Sequence, residues 1–509
     1  MTVTLQYPRQ VERWGRFEIT LPGPAEGNPF LEQTLTASFS SAGGGSRTVE
    51  GFYDGDGCYR LRYLPRTAGP CHFELSASFL TEPIRGSFMV TPQATPGNHG
   101  PVHVADTYYL AYEDGTPYHC VGTTCYAWVW QSEQRRQSTL KALAAAPFNK
   151  LRFCALPKHY VYNLTDPPLF PFPGTPMDAS VLTEDNFNEY NGCPPGNHWD
   201  FSRFNPAYFQ QLEQCIASLC NLGIEADLIV LHPYDRWGFS QMDPATDQRY
   251  WRYLIARLAC YRNLWWSLAN EYDLLPRRNL TDWERDADLL CRYDPYGHLR
   301  SIHNCFDFYD YSRPWITHCS IQRQNLYLSG ELTNQWRERW HKPVVLDEIA
   351  YEGDIQFGWG NLSGEEMTRR CWETVCRGGY AGHGETYLIP DGILWWSHGG
   401  TLHGSSPARL AFLRRIMEET PGPGLEPWPE AQWDEVAACA HGPARQDYFI
   451  FYYSFMRPGF RDFNLGPGRF QIEVIDTWNM TITPQGYGEG RFRVRLPARP
   501  YMAVRLRRR

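Results

Sequence analysis

Leu264-Trp265-Trp266-Ser267-Leu268-Ala269-Asn270-Glu271-Tyr272-Asp273 is the run on which the reading of this chain turns. Its first half is apolar and aromatic, the composition of a strand covered on both faces. It then becomes polar at once, with an amide, a carboxylate, a phenol and a second carboxylate in succession. Such groups are expensive at the end of a buried strand unless something outside the core engages them. A second run has the same shape: Lys342-Pro343-Val344-Val345-Leu346-Asp347-Glu348-Ile349-Ala350-Tyr351 passes from a β-branched core into carboxylates. At the carboxyl ends of parallel strands, side chains of this kind are available for chemistry.

Outward from these two runs, strand-like and helical patterns alternate from about residue 103 to 420. Strands are expected at 118–124, 149–155, 226–231, 264–269, 299–303, 317–321, 344–348 and 393–397. Amphipathic helices are expected at 134–146, 206–222, 247–261, 281–293 and 364–377. Eight strands separated in this way make an α/β fold of the (β/α)8 TIM-barrel type the economical solution. The connection at 304–314 is short for a helix and reads as a loop. The Pro- and Asn-rich connection at 157–205 is long enough to be functional and belongs on the catalytic face.

Short alternating runs punctuated by Pro and Gly occupy both flanks, among them Phe17-Glu18-Ile19-Thr20-Leu21 and Cys58-Tyr59-Arg60-Leu61-Arg62-Tyr63. The expected organisation is an Ig-like β-sandwich at 1–97, the barrel at 98–422 and a carboxy-terminal β-sandwich at 423–509.

With 15% aromatic residues, including 19 Trp and 31 Tyr, the chain has material both for large cores and for stacking on sugar faces. A net charge of −8 gives no basic footprint for nucleic acid. None of the 15 Cys forms a Cys-x-x-Cys pair, so zinc ribbons are not expected, and several sit in apolar runs as small hydrophobes. That usage, with no signal peptide at the amino terminus, points to a cytoplasmic protein. No apolar stretch suits a membrane span. No cofactor and no metal are expected, and a homo-oligomer is compatible with the sequence.

Cleavage of a glycosidic bond needs one carboxylic acid to protonate the leaving oxygen and one carboxylate at the anomeric carbon. Asn270-Glu271 closing the fourth strand and Glu348 closing the seventh resemble glycoside hydrolase clan A. The resemblance implies that Glu271 is the acid/base and Glu348 the nucleophile of a retaining enzyme, with carboxyl groups about 5–5.5 Å apart. Asp347 and Glu352 compete for the second role, but Asp347 points to the other face of its strand and Glu352 lies beyond it. Asn149-Lys150-Leu151-Arg152 is similar to the clan's Asn-x-x-Arg stretch, which implies that Arg152 keeps Glu348 ionised.

Further contacts to a carbohydrate substrate are expected from Asn270, His232, His303, Asn304, Trp396, Tyr351 and Glu385, and from Lys158, His159 and Trp128 on the rim. The clan commonly has a Tyr on strand six near the nucleophile; this sequence offers His318. The whole chain also resembles a bacterial group that joins an amino-terminal domain of unknown function, an apiosidase-like or endoglucanase-like barrel and a carboxy-terminal sandwich. Exo-action on short oligosaccharides or glycosides is the expected activity, a furanosidase such as an apiosidase being one alternative. A non-catalytic carbohydrate-binding barrel is a second, and a metal-dependent hydrolase using His232, His303 and His318 a third.

Overall fold

The computed structural model describes residues 4–43, 45–323, 325–388 and 394–509. Its central feature is one sheet of eight strands: β1 (Val121–Thr124), β2 (Lys150–Cys154), β3 (Glu225–Leu231), β4 (Leu264–Ala269), β5 (Arg300–Ser301), β6 (Cys319–Gln322), β7 (Val344–Glu348) and β8 (Tyr380–His383). Their order is β5-β4-β3-β2-β1-β8-β7-β6. A parallel bridge from His303 to Ser320 joins the two ends of that order, as a barrel requires. Helices follow the strands: α1 (Glu133–Ala145), α2 (Pro206–Asn221), α3 (Pro244–Leu258), α4 (Leu280–Tyr293), α5 (Thr333–Trp340), α6 (Gly364–Cys376) and α7 (Ser406–Glu418). No helix lies between β5 and β6, in keeping with the short connection there.

Seven of the eight expected strands form within a few residues of their expected limits; the eighth does not. Ile393 lies outside the described residues, and Trp395–His398 is a single helical turn. The eighth strand is Tyr380–His383, which pairs with β1 through Val121↔Ala381 and with β7 through Leu346↔Ala381. The segment around Glu385, expected in a loop before strand eight, therefore leaves the carboxyl end of that strand. Tyr-Ala-Gly-His is too short and too poor in β-branched residues to announce a strand, whereas Leu-Trp-Trp does so falsely.

The chain divides into two compact units, the first made of residues 1–102, 129–132 and 153–300, the second of 103–128, 133–152 and 301–509. In the first, Phe17–Pro22 pairs antiparallel with Cys58–Tyr63 in a three-stranded sheet, and a five-stranded sheet includes Leu35–Ser41 and Ile84–Thr91. Alternation sends Phe17, Ile19 and Leu21 inward, where Phe17 stacks on Phe88 at 3.7 Å and Tyr63 on Phe39 at 4.1 Å. These contacts join two sheets into a sandwich. Buried ion pairs tie it to the helices behind β3 and β4. Arg62 meets Glu213 of α2 at 2.7 Å, and Arg257 of α3 meets both Glu213 (2.5 Å) and Asp54 (2.7 Å).

In the second unit the carboxy-terminal strands form a six-stranded antiparallel sheet running from Leu425–Pro427 to Thr481–Arg495. One face closes on a core of its own that includes Phe449, Phe451, Phe463, Phe470 and Val504. From the other face Tyr452 stacks on Trp372 of α6, ring centroids 5.6 Å apart.

Candidate active site

Both glutamates singled out from the sequence are buried at carboxyl ends of parallel strands, the end at which barrel enzymes carry their chemistry. Glu348 is the last residue of β7. Its Oε1 accepts a hydrogen bond from the Tyr126 hydroxyl and lies 3.3 Å from His303 Nε2. Burial by itself would raise its pKa. The hydrogen bond and charge of His303, the nearby Arg152 guanidinium and the Tyr126 hydroxyl overcome that and hold the carboxyl well below the usual range. Glu348 is a buried carboxylate kept ionised.

The support extends one layer further. His303 Nδ1 is 2.9 Å from Ser320 Oγ, and that hydroxyl donates to Asp347 Oδ2 at 2.5 Å. Lys150 donates to Asp347 Oδ1 at 2.6 Å, both side chains being about 1% exposed. Asp347 thus faces Lys150 and Ser320, while Glu352 accepts from the backbone N–H groups of Ser405 and Ser406. Trp396, from the helical turn rather than a strand, packs edge-on against Tyr126 at 5.3 Å, and Trp359 lies 5.0 Å from Trp396. Tyr351 stands beside Glu348 and Tyr126 with its hydroxyl buried. Trp395, the residue before Trp396, turns the other way and donates to Thr123 Oγ1.

Glu271 occupies the first unit. It follows β4 in the left-handed region, φ 47° and ψ 55°, a conformation that costs a residue with a Cβ about 1–2 kcal/mol. Strain of that kind persists where the surroundings fix it and is common at functional positions. Tyr234 donates a hydrogen bond to Glu271 Oε2, and Asn270 Nδ2 donates to the same oxygen at 3.2 Å. Lys158 places its ammonium 4.1 Å from the Tyr234 ring centre. His232 is fully buried and its pKa is pushed down to about 3 by burial and by Lys158; its Nε2 faces the Leu156 carbonyl. His159 is held neutral by burial, near pKa 4, and binds the Phe187 carbonyl at 2.9 Å, pinning the long connection. Asp235 accepts from the N–H groups of Trp237, Gly238 and Ser240 and organises the loop that carries Tyr234.

Several expected contacts are placed elsewhere. His318 precedes β6, so it stands at the amino-terminal end of the barrel strand, away from the catalytic end. The residue that β6 delivers beside His303 is Gln322, 3.2 Å from Nε2. Asn304 is engaged with the backbone of Gln322, donating to its carbonyl and accepting from its N–H. Trp128 is fully buried in a 3-10 turn after β1. Both oxygens of Glu385 accept backbone N–H groups, from His403 and Gly404. Burial, with Glu352 adding to it, raises Glu385 to about 7.

Sequence reasoning missed Tyr126 and Tyr234, the hydroxyls that hold the two glutamates. Tyr126 lies just past β1, and Tyr234 in the polar run after β3, so position at a strand's carboxyl end was the signal available for both.

The family model of the apiosidase-like catalytic domain matches residues 105–421. Models of two domains of unknown function, DUF5060 and DUF5605, match residues 10–78 and 433–507. Among solved structures, a putative glycoside hydrolase from Bacteroides vulgatus ATCC 8482 is 37% identical, covers 99% of this chain and 100% of its own, and superposes with a TM-score of 0.90. A glycoside hydrolase family 5 protein from the same organism shares the fold at 16% identity and TM-score 0.59, over 82% of this chain and 95% of its own. A search of the curated proteins found no match. An eight-stranded parallel barrel with glutamates closing β4 and β7, in this company, is a glycoside hydrolase of clan A. More particularly, the chain belongs to the apiosidase-like catalytic domain family, flanked by the two domains of unknown function.

Proposed function

We propose that this glycosidase is a retaining enzyme acting on the ends of short oligosaccharides or on small glycosides. Glu348 attacks the anomeric carbon and forms a glycosyl-enzyme. Glu271 protonates the departing oxygen and then takes a proton from the water that releases the sugar. The observation that carries the reading is Glu348 itself, a buried carboxylate held ionised by His303, Arg152 and Tyr126. A group in that state is a nucleophile and a poor proton donor, which leaves acid catalysis to Glu271.

Tyr351, whose buried hydroxyl lies beside Glu348, and Trp396 are the groups proposed to meet the sugar there; Asn270 and Lys158 take that part beside Glu271. Exo-action is supported by the connection at 157–205, a long insert after β2 tied down at His159, Asn197 and Trp199. A cytoplasmic setting is supported by the 15 cysteines, which are all thiols without a disulfide. Among the described residues no helix is long and apolar enough to cross a membrane. The family description favours furanosides such as apiosides as a second substrate class.

The test is a panel of aryl pyranosides and furanosides, apioside included, with wild type, Glu271→Ala and Glu348→Ala. Expected are retention of configuration by proton NMR, loss of at least about a hundredfold in kcat/KM for each variant, and azide rescue of Glu348→Ala. Inversion of configuration would remove Glu348 from the nucleophile's role. Internal cuts in a long polysaccharide would count against exo-action.

A further inference from the structure

Just beyond β7 and β8 the chain forms a short parallel pairing in which Glu352 lies opposite Glu385. His383, the last residue of β8, completes a cluster in which one ligand-type atom from each side chain lies within 4.8 Å of the others. All three side chains are buried, at 0%, 1% and 0% exposure for Glu352, Glu385 and His383. Four successive backbone N–H groups, from His403 to Ser406, are divided between the two carboxylates. The carboxylates converge on one point of that loop. A Cβ on Gly404 would stand 2.5 Å from Glu352 Oε2 and 2.6 Å from Glu385 Oε2, which is why the position is glycine.

The imidazole supplies the independent sign of a ligand. His383 Nδ1 is paired with Thr123 Oγ1 at 3.0 Å, and the Trp395 indole N–H fixes that hydroxyl, also at 3.0 Å. His383 Nε2 is buried without a hydrogen-bond partner. A polar nitrogen left unsatisfied in the interior costs about 1–3 kcal/mol and calls for an explanation. An imidazole oriented through Nδ1, with its other nitrogen unpartnered and two acidic side chains beside the ring, is the usual construction of a metal ligand.

We infer that His383, Glu352 and Glu385 form a binding site for one divalent transition-metal ion, Zn²⁺ or Mn²⁺. The donor set selects that class: an imidazole nitrogen disfavours Mg²⁺ and Ca²⁺, and the absence of thiolate from the set disfavours softer ions. The ion would bind His383 Nε2 and one oxygen from each glutamate, each of which still has lone pairs besides those taken by the loop. It would neutralise the crowded carboxylates and fasten the ends of β7 and β8 to the loop that leads into α7. Its role is structural, since the proposed reaction uses none of these three residues.

Protein purified without chelators is analysed for metal by plasma mass spectrometry. It is then stripped and titrated separately with ZnCl2 and MnCl2, followed by calorimetry and by Tm. Wild type should carry or rebind about one equivalent per chain, with a rise in Tm. His383→Ala and the near-isosteric Glu385→Gln should each lose that equivalent while remaining folded by circular dichroism. Thr123→Val, which releases the imidazole, should bind at least about tenfold more weakly. The inference is overturned if stripped wild type binds neither metal. It is equally overturned if His383→Ala and Glu385→Gln bind as wild type does, or if Glu385→Gln alone raises Tm with no metal effect in wild type, the signature of a shared proton. None of these readouts depends on which glycoside is the substrate.

Discussion

At the scale of single residues, two glutamates of the same chemical type are given different surroundings. Glu348 is held by a tyrosine hydroxyl, a histidine and an arginine, and Glu271 by a tyrosine hydroxyl and an amide on one oxygen. Tyr126→Phe removes a donor to an ionised group, worth about 1.5–3 kcal/mol, so kcat/KM should fall at least about tenfold. Glu348 would then sit closer to its ordinary pKa, so the acid limb of the pH profile should move to higher pH. A merely structural role for Tyr126 would leave that limb in place.

Glu225 offers a separate test. It opens β3 at the end of the barrel away from the chemistry, and burial raises its carboxyl to about 8 against a hydrogen bond from Trp265. The folded state then holds a proton that the unfolded chain releases near pH 4.5. The associated stability is complete at low pH and declines as pH rises from there through about 8. Denaturation midpoints measured across that window should show a decline that Glu225→Gln flattens.

At the scale of elements, the strands that sequence periodicity located best are those buried on both faces. β4 and β7 have the expected limits, because long apolar runs leave a strand little freedom of register. The eighth strand was misplaced because Tyr380–His383 has neither length nor β-branching, and its place is set by pairing to β1 and β7 on either side. The helix after Glu271 is fixed locally: Asn279 and Asp282 form a reciprocal capping box at the start of α4. Asn279→Ala should cost about 1 kcal/mol, seen as a lower Tm. Activity at a temperature well below the transition should be unchanged, and a loss of activity there would show that α4 positions Glu271 rather than only stabilising the strand before it.

At the scale of the whole molecule, both flanking domains are attached by buried charge as well as by apolar contact. Arg62, Glu213, Arg257 and Asp54 do this in the first unit. In the second, Arg505 of the terminal sheet meets its cross-strand neighbour Glu473 and, outside the sheet, Glu419 just after α7, each at 2.6 Å, and is only 2% exposed. Removing one partner of such a pair leaves a charge uncompensated. Arg505→Ala should therefore cost about 3–5 kcal/mol, whereas Arg505→Met with Glu473→Leu should recover most of it. Chemical denaturation of the three proteins decides the matter. Equal stability of wild type and Arg505→Ala would mean that the aromatic contact between Tyr452 and Trp372 carries the attachment.

The sequence by itself determined the barrel, the two flanking β regions and the two glutamates at the ends of β4 and β7, since periodicity and a sudden change from apolar to polar are local properties of the chain. Tertiary structure alone decided which groups surround each glutamate. Tyr126 reaches Glu348 from 222 positions away, and Tyr234 reaches Glu271 from 37. It also decided that His318 stands at the wrong end of its strand, and that His383, Glu352 and Glu385 converge with one nitrogen unsatisfied. The reason is physical: a strand's composition reveals that it is buried, but not which strands lie beside it, and the environment of a carboxylate is made by its neighbours in space.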